Sequence, residues 1–261
     1  MKHTILLLSL LLSLSLNIMK GENSKIQKAQ KHYEQKEYAL AIESYCEMLD
    51  DPSQRENATL YYNLGNAYYR HGQLGLAILN YERALRIVPQ NKAIRHNLMI
   101  ANNEITNPIE YPISYLSSIK SLLFQRISTR VIIIIAFLLF ALLLIGILFF
   151  LLGSRRVERQ IGFYTALVSF FLFIVAQVLL YSLHQQYKNP HEAIVLEGKV
   201  AVKSSPEIGS TSLITLYEGS KITIVDSSTD KQWVAIELPD NKLGWLERNS
   251  IATIYPFSTT K

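Results

Sequence analysis

Two uncharged stretches separated by seven residues decide what this chain can become. The first, Val131 to Gly153, reads VIIIIAFLLFALLLIGILFFLLG. As a helix it would rise about 34 Å, enough to cross a hydrocarbon core of about 30 Å. The second, Ile161 to Leu183, is equally long and equally free of charge. A soluble helix does not stay apolar on every face for this length. The sequence therefore predicts transmembrane helices over 131–153 and 161–183, joined by a tight basic turn, with the flanking segments on one side of the membrane. Neither arm holds an Asp, Glu, Lys, Arg or His, and Gln177 is the most polar residue of the second. A transporter or proton path would need buried charge there, so the hairpin reads as an anchor.

The formal net charge of +5 invites a nucleic-acid reading, and its location argues against one. Lys120, Arg126, Arg130, Arg155, Arg156 and Arg159, offset only by Glu158, collar the two spans. Anionic headgroups and the positive-inside bias select that placement. The expected partners therefore include membrane lipid and exclude nucleic acid. Cys46 is the one cysteine and reads as a small apolar residue of a helix rather than a redox thiol. The six histidines match no metal-ligand spacing. No nucleophile elbow and no phosphate loop occurs. We expect no enzyme, no cofactor and no metal.

Lys2 followed by the apolar run Ile5 to Leu16 reads as a secretory signal or signal anchor over residues 1–20, too short for a comfortable span. Residues 22–105 are helical in pattern, tyrosine-rich and repetitive. The clearest unit is Tyr61-x2-Leu64-Gly65-x2-Tyr68, then Gly72, Ala77-x3-Tyr81-x2-Ala84 and Pro89. It resembles the tetratricopeptide repeat, W-x2-L-G-x2-Y, A-x3-F, P, with tyrosine in place of tryptophan and of phenylalanine. Gly65 and Ala77 are small where two helices would touch, Tyr81 fills the gap, and Pro89 stops the second helix. A degenerate copy precedes it, with Ala29, His32, Ala41, Tyr45 and Met48 at the matching positions and its two extra residues between Asp50 and Arg55. Ile94, Leu98, Ala101 and Ile105 mark a capping helix.

The resemblance implies a concave groove lined by the first helix of each pair. Tyr62, Asn66, Tyr69 and Arg70 should face it, with Asn97 from the capping helix. It is either a groove for an extended peptide or partner helix, or the solvated face of a short array. Tyr62 and Ala93 stand where a carboxylate clamp would place lysines, which argues against capture of a C-terminal carboxylate. Beyond Asn107-Pro108 and Tyr111-Pro112, residues 113–130 carry Ile113, Leu116, Ile119, Leu123 and Ile127 on one stripe. That pattern predicts an amphipathic juxtamembrane helix, with a docking helix for the repeats as the alternative.

From Pro190 the text changes to short alternating runs: Ala193–Leu196, Lys199–Val202, Lys221–Val225, Gln232–Leu238 and Leu243–Leu246. Pro239-Asp240-Asn241-Lys242 is a hairpin turn, and Leu216-Tyr217-Glu218-Gly219 reads as a turn before a strand. Val200, Val202, Pro206, Leu216, Gly219, Ile222, Ile224, Trp233, Ile236, Leu238, Gly244 and Trp245 resemble, in order and spacing, a bacterial SH3 domain over 190–257. Trp233 is expected in its core, with Tyr217 and Trp245 the candidates for an SH3 groove. The expected fold class is a multidomain membrane protein: an all-α TPR array, a two-helix transmembrane hairpin and an all-β SH3-like barrel.

This order of segments resembles the membrane-bound repeat proteins of the Bacteroides aerotolerance operon, the BatE-like group. The resemblance implies a bacterial inner-membrane, multi-pass scaffold with TPR and SH3 domains on the periplasmic side. It implies work beside other envelope proteins, notably the von Willebrand A domain proteins of the same operon, in tolerance of oxygen or envelope stress. Two alternatives stand beside it. One is a peptidoglycan-binding envelope anchor acting through the SH3 domain; the other is an accessory subunit of a membrane enzyme complex.

Overall fold

The computed structural model describes residues 25–108, 129–187, 191–229, 232–240 and 242–255. The signal reading of 1–20 and the amphipathic helix expected over 113–130 lie outside the described residues, apart from the last two positions of the latter. The described residues before and after the apolar hairpin pack into one compact unit, and the hairpin forms a second.

In the first unit, α1 (residues 25–34) and α2 (Tyr38–Leu49) form one antiparallel pair, α3 (Ala58–His71) and α4 (Leu74–Ile87) the next, and α5 (Lys92–Asn103) closes the series. The caps follow from local chemistry. Asn57 accepts hydrogen bonds from the N–H groups of Thr59 and Leu60, and Asn91 accepts from Ala93 and Ile94, so α3 and α5 begin there. Gly72 ends α3 in the left-handed region at φ 84°, with its N–H and that of Gln73 returning to the carbonyls of Tyr69 and Tyr68. The two extra residues of the first pair fall in a short 3-10 turn, Pro52–Gln54. The small residues sit where helices touch: Ala29, Ala41 and Ala77 are fully buried. A Cβ on Gly65 would lie 2.8 Å from the Tyr81 ring. Cys46 is half-buried, with its Sγ 3.7 Å from the Tyr68 hydroxyl.

The chain after the hairpin is a seven-stranded antiparallel sheet in the order β3-β2-β6-β5-β4-β1-β7. The strands are β1 (Glu192–Val195), β2 (Lys199–Lys203), β3 (Ser212–Tyr217), β4 (Lys221–Ser227), β5 (Trp233–Glu237), β6 (Leu243–Glu247) and β7 (Ile251–Thr253). Alternation drives it: Val200, Val202, Leu216, Ile222, Val234, Ile236 and Leu246 enclose one apolar core. Trp233 is 8% exposed and belongs inside. Two strands escape the sequence reading. Leu216 and Tyr217, read as part of a turn, end β3, and the turn itself begins at Glu218, because Gly219 alone takes positive φ, 86°. β7 is only three residues long and exists through its pairing with β1.

The sheet packs on α4, and the contact is polar as well as apolar. Glu218 accepts from the backbone N–H of Gly75 at 2.7 Å. Arg83, 2% exposed, donates to the Thr253 carbonyl at 3.1 Å and stacks over the Tyr61 ring. Burial pushes its pKa down to about 10, which leaves it charged at neutral pH. Arg86, 6% exposed, pairs with Glu192. Lys221 bridges Glu192 at 3.0 Å and Glu82 at 3.2 Å. Gly219 lets β4 approach, since a Cβ there would meet the Ile78 Cδ1 at 2.6 Å.

The hairpin is α6 (Thr129–Leu152) and α7 (Arg156–Tyr187), both long and apolar enough to cross a membrane. Its helix bounds exceed the predicted second arm because the turn residues cap helices. Glu158 accepts from the N–H groups of Ser154 and Arg155 ahead of α7, and Arg159 donates to the Gly153 carbonyl at the end of α6. The basic turn thus contracts to Gly153–Arg155. The two helices meet through Gly146 and Gly162: a Cβ on Gly162 would lie 2.7 Å from the Gly146 carbonyl oxygen and 2.5 Å from the Phe150 nitrogen. Phe140 and Phe173, with ring centroids 5.8 Å apart, flank the crossing. The outward faces keep large apolar side chains exposed, as lipid-facing helices do.

Candidate functional site

The residues of α3 at positions 62, 66, 69 and 70 share one helix face by their spacing. That face looks into a cleft of about 300 Å³ lined by Tyr33, Tyr62, Asn66, Tyr69, Arg70, Tyr81, Asn97 and Ile100. All five groove residues expected from the sequence therefore line one cavity. α1 supplies Tyr33, α4 supplies Tyr81 and α5 supplies Asn97 and Ile100.

A hydrogen-bond net holds the floor. Asn97 Nδ2 donates to Asn66 Oδ1 at 2.9 Å and to the Tyr62 hydroxyl at 3.2 Å. The Tyr81 hydroxyl donates to the same Asn66 Oδ1 at 2.8 Å. The Tyr62 and Tyr81 rings lie 6.2 Å apart and tilted. Burial keeps the Tyr81 hydroxyl protonated well past the usual range. On the rim, Tyr69 donates to Glu104, which raises the Tyr69 pKa. The Tyr33 hydroxyl beside Arg70 holds its guanidinium even more firmly charged. The net fixes every ring of the wall except those on the rim, so the groove is pre-shaped rather than collapsed.

Three lining residues were not foreseen. Tyr33 stands 36 positions before Tyr69, the offset between the two repeat copies, so the repeat register already points to it. Tyr81 serves the helix contact and the groove together; its ring fills the space over Gly65 while its hydroxyl reaches the groove. Ile100 follows Asn97 by one helical turn.

The two aromatic residues expected to form a groove on the sheet sit apart. Tyr217 pairs with Lys199 and Trp245 with Lys203. These partners stand four positions apart along β2, on the order of 13 Å. Both rings are half-buried. A cleft of about 480 Å³ on the sheet lies elsewhere, between β3 and the β5–β6 turn, lined by Leu213, Ile214, Thr215, Leu238, Pro239, Asp240 and Lys242. Among the described residues no group of His, Cys, Asp and Glu is arranged to hold a metal.

No curated protein matches the chain. Residues 58–91, which are α3, α4 and the turn before α5, match the family described as Tetratricopeptide repeat, a module of protein–protein interaction.

Proposed function

We propose that this protein is a membrane-anchored scaffold that holds a partner protein in the groove of its repeats. The observation that carries the reading is the cleft over α3, with its tyrosine walls and fixed asparagine floor. Aromatic and arginine side chains dominate interface energies, and here four tyrosines and an arginine converge on one cavity. The hairpin supplies the anchor. The docking of the C-terminal sheet on α4 supports a returning topology, because Arg83 precedes the hairpin and Thr253 follows it. A shared compartment for both fits a chain that crosses an even number of times. The basic turn at Arg155 and Arg156 and the signal-like start favour a bacterial inner-membrane protein with both soluble parts in the periplasm. The C-terminal sheet, read as an SH3-like domain, then serves chiefly as a buttress for the repeats, in an envelope complex of the aerotolerance or stress-response kind.

The test is partner recovery by crosslinking in native membranes. Tyr62→Ala with Arg70→Ala should leave the full chain folded, since Arg70 is exposed and Tyr62 half-buried, and partner recovery should fall by about tenfold or more. Full recovery with the folded double variant would overturn the groove as the binding site.

A further inference from the structure

As a membrane anchor, the hairpin leaves one polar side chain facing the lipid. Gln177 lies six residues, about 9 Å, inside the Leu183 end of the apolar run. It is exposed, and among the described residues its carboxamide has no hydrogen-bond partner. Hydrocarbon offers it neither donor nor acceptor. Ser169, by contrast, is buried within the hairpin at 2% exposure.

Gln177 belongs to a pattern. Leu167, Phe170, Ile174, Gln177, Tyr181 and His184 recur at intervals of three and four residues along α7, and all six are exposed. That spacing is a heptad seam. Ser169, Ala176 and Leu183, buried in the hairpin, each stand one position before a member of the seam. One residue turns a helix by about 100°, so the seam is a second face, turned away from the one packed on α6. Toward its polar end, the Tyr181 hydroxyl already accepts from Gln185 Nε2 at 2.7 Å, and His184 lies beyond the apolar run. The unmet need is at Gln177.

Resting on the anchor reading, we propose that two copies of this chain pair α7 against α7 along this seam, with their Gln177 carboxamides bonded to each other. A carboxamide carries donor and acceptor on one planar group, so it is complementary to itself across a two-fold axis. Two copies inserted in the same sense bring Gln177 to one depth without adjustment. A helix of another protein would need its own polar group at that level. The seam carries no Asp, Glu, Lys or Arg, so facing itself sets no such like charges together. Its heptad period suits parallel helices crossing at about +20°, the common left-handed geometry of membrane bundles.

The experiment uses the full chain carrying Cys46→Ala, reconstituted in phosphatidylcholine vesicles where no other protein is present. Ile174→Cys and Tyr181→Cys sample the seam, and Val175→Cys and Val178→Cys sample the neighbouring face, which is similarly exposed. Oxidation should give a disulfide-linked dimer from the seam positions and little from the flanking ones. Adding Gln177→Leu to Ile174→Cys should lower the dimer about fivefold on dilution into lipid, and Gln177→Asn should restore most of it. Equal crosslinking at seam and flank, or a dimer untouched by Gln177→Leu, would overturn the proposal. No dimer from any position would overturn it as well, and would assign the seam to a helix of another protein. In each case the anchor reading stands if the chain resists alkaline extraction from the vesicles; a chain that is extracted overturns the anchor reading itself.

Discussion

The carboxylate of Glu218, in the turn before β4, caps the N-terminus of α4 by accepting the Gly75 N–H at 2.7 Å across 143 residues of chain. The local N-cap position, Gln73, makes no side-chain bond of its own. A repeat helix is thus capped from a domain on the far side of the hairpin in sequence. Glu218→Ala should remove the cap and the charge at the positive end of the helix, at a cost of about 1 kcal/mol. Thermal melting of the full chain in detergent should drop by about 3 °C. Gly75→Ala gives the sharper reading. In a free helix it would stabilise by about 1 kcal/mol. Here the new Cβ would sit 2.8 Å from the Val195 carbonyl oxygen, so the variant should melt lower. A higher melting point would show that the sheet does not dock on α4 in solution.

The docking contact also carries a pH signature. Burial alone would push the Glu192 carboxyl up, and the Lys221 and Arg86 cations outweigh it and hold it below the usual carboxylate range. A group with a depressed pKa stabilises the folded state above its unfolded value of about 4.3 and loses that contribution as pH falls through the folded value. Burial pulls Lys221 the other way, and Glu82 with Glu192 overcome it and raise its pKa. Its contribution is complete below its unfolded value of about 10.4 and is lost as pH rises through the raised one. Docking should therefore hold across neutral pH and weaken at both extremes. Glu192→Gln should flatten the acid limb and, by leaving Arg86 buried without its carboxylate, cost about 3 kcal/mol. An acid limb unchanged in the variant would exclude Glu192 as its source.

On the proposed topology, alkaline phosphatase fused after Ile105 and after Lys261 should be active in both cases, and a fusion at Arg155 inactive. Activity at only one of the two soluble sites would remove the returning hairpin. Within the hairpin, Gly162→Leu should separate the helices, because even a Cβ there meets backbone at 2.5 Å. Cysteines at Phe140 and Phe173 in a Cys46→Ala background should crosslink in the parent and fail to do so in the variant.

Periodicity made the hairpin and the repeats legible, because each helix needs only its own neighbours to form: Gly65, Ala77 and Tyr81 stand where the pattern puts them. The same periodicity put Tyr62, Asn66, Tyr69 and Arg70 on one face of α3, since one helix face follows from spacing alone. Tyr33 was missed because the first copy lacks most of its signature, although the register between copies points to it. What sequence could not give was the sheet's docking. Glu82, Arg83 and Arg86 look like the solvated side of a surface helix, and the Thr253 carbonyl, Lys221 and Glu192 that meet them come from beyond the hairpin. β7 was equally invisible, a three-residue strand defined by pairing and not by pattern. Tyr217 and Trp245 follow as groove candidates from the SH3 resemblance, and no spacing rule states which pairs of strands bring such rings together.

Gly65 offers the cleanest test of the repeat packing, because two effects of opposite sign meet there. Alanine is favoured over glycine in a helix by about 1 kcal/mol. Its Cβ would stand 2.8 Å from two ring carbons of Tyr81 and 3.3 Å from the Ala77 carbonyl oxygen, and overpacking of that kind costs about 1–3 kcal/mol. The ring cannot retreat freely, since its hydroxyl is tied to Asn66. Gly65→Ala should therefore be net destabilising, by about 1 kcal/mol. Tyr81→Ala alone opens a cavity and should cost about 3–5 kcal/mol. In the double variant the new methyl occupies part of that cavity and the clash is gone. The sum of the single effects should thus exceed the double by about 1–2 kcal/mol in a denaturant or thermal cycle on the full chain. Strict additivity would mean that Gly65 and Tyr81 do not touch, and the close α3–α4 contact that shapes the groove would have to be given up.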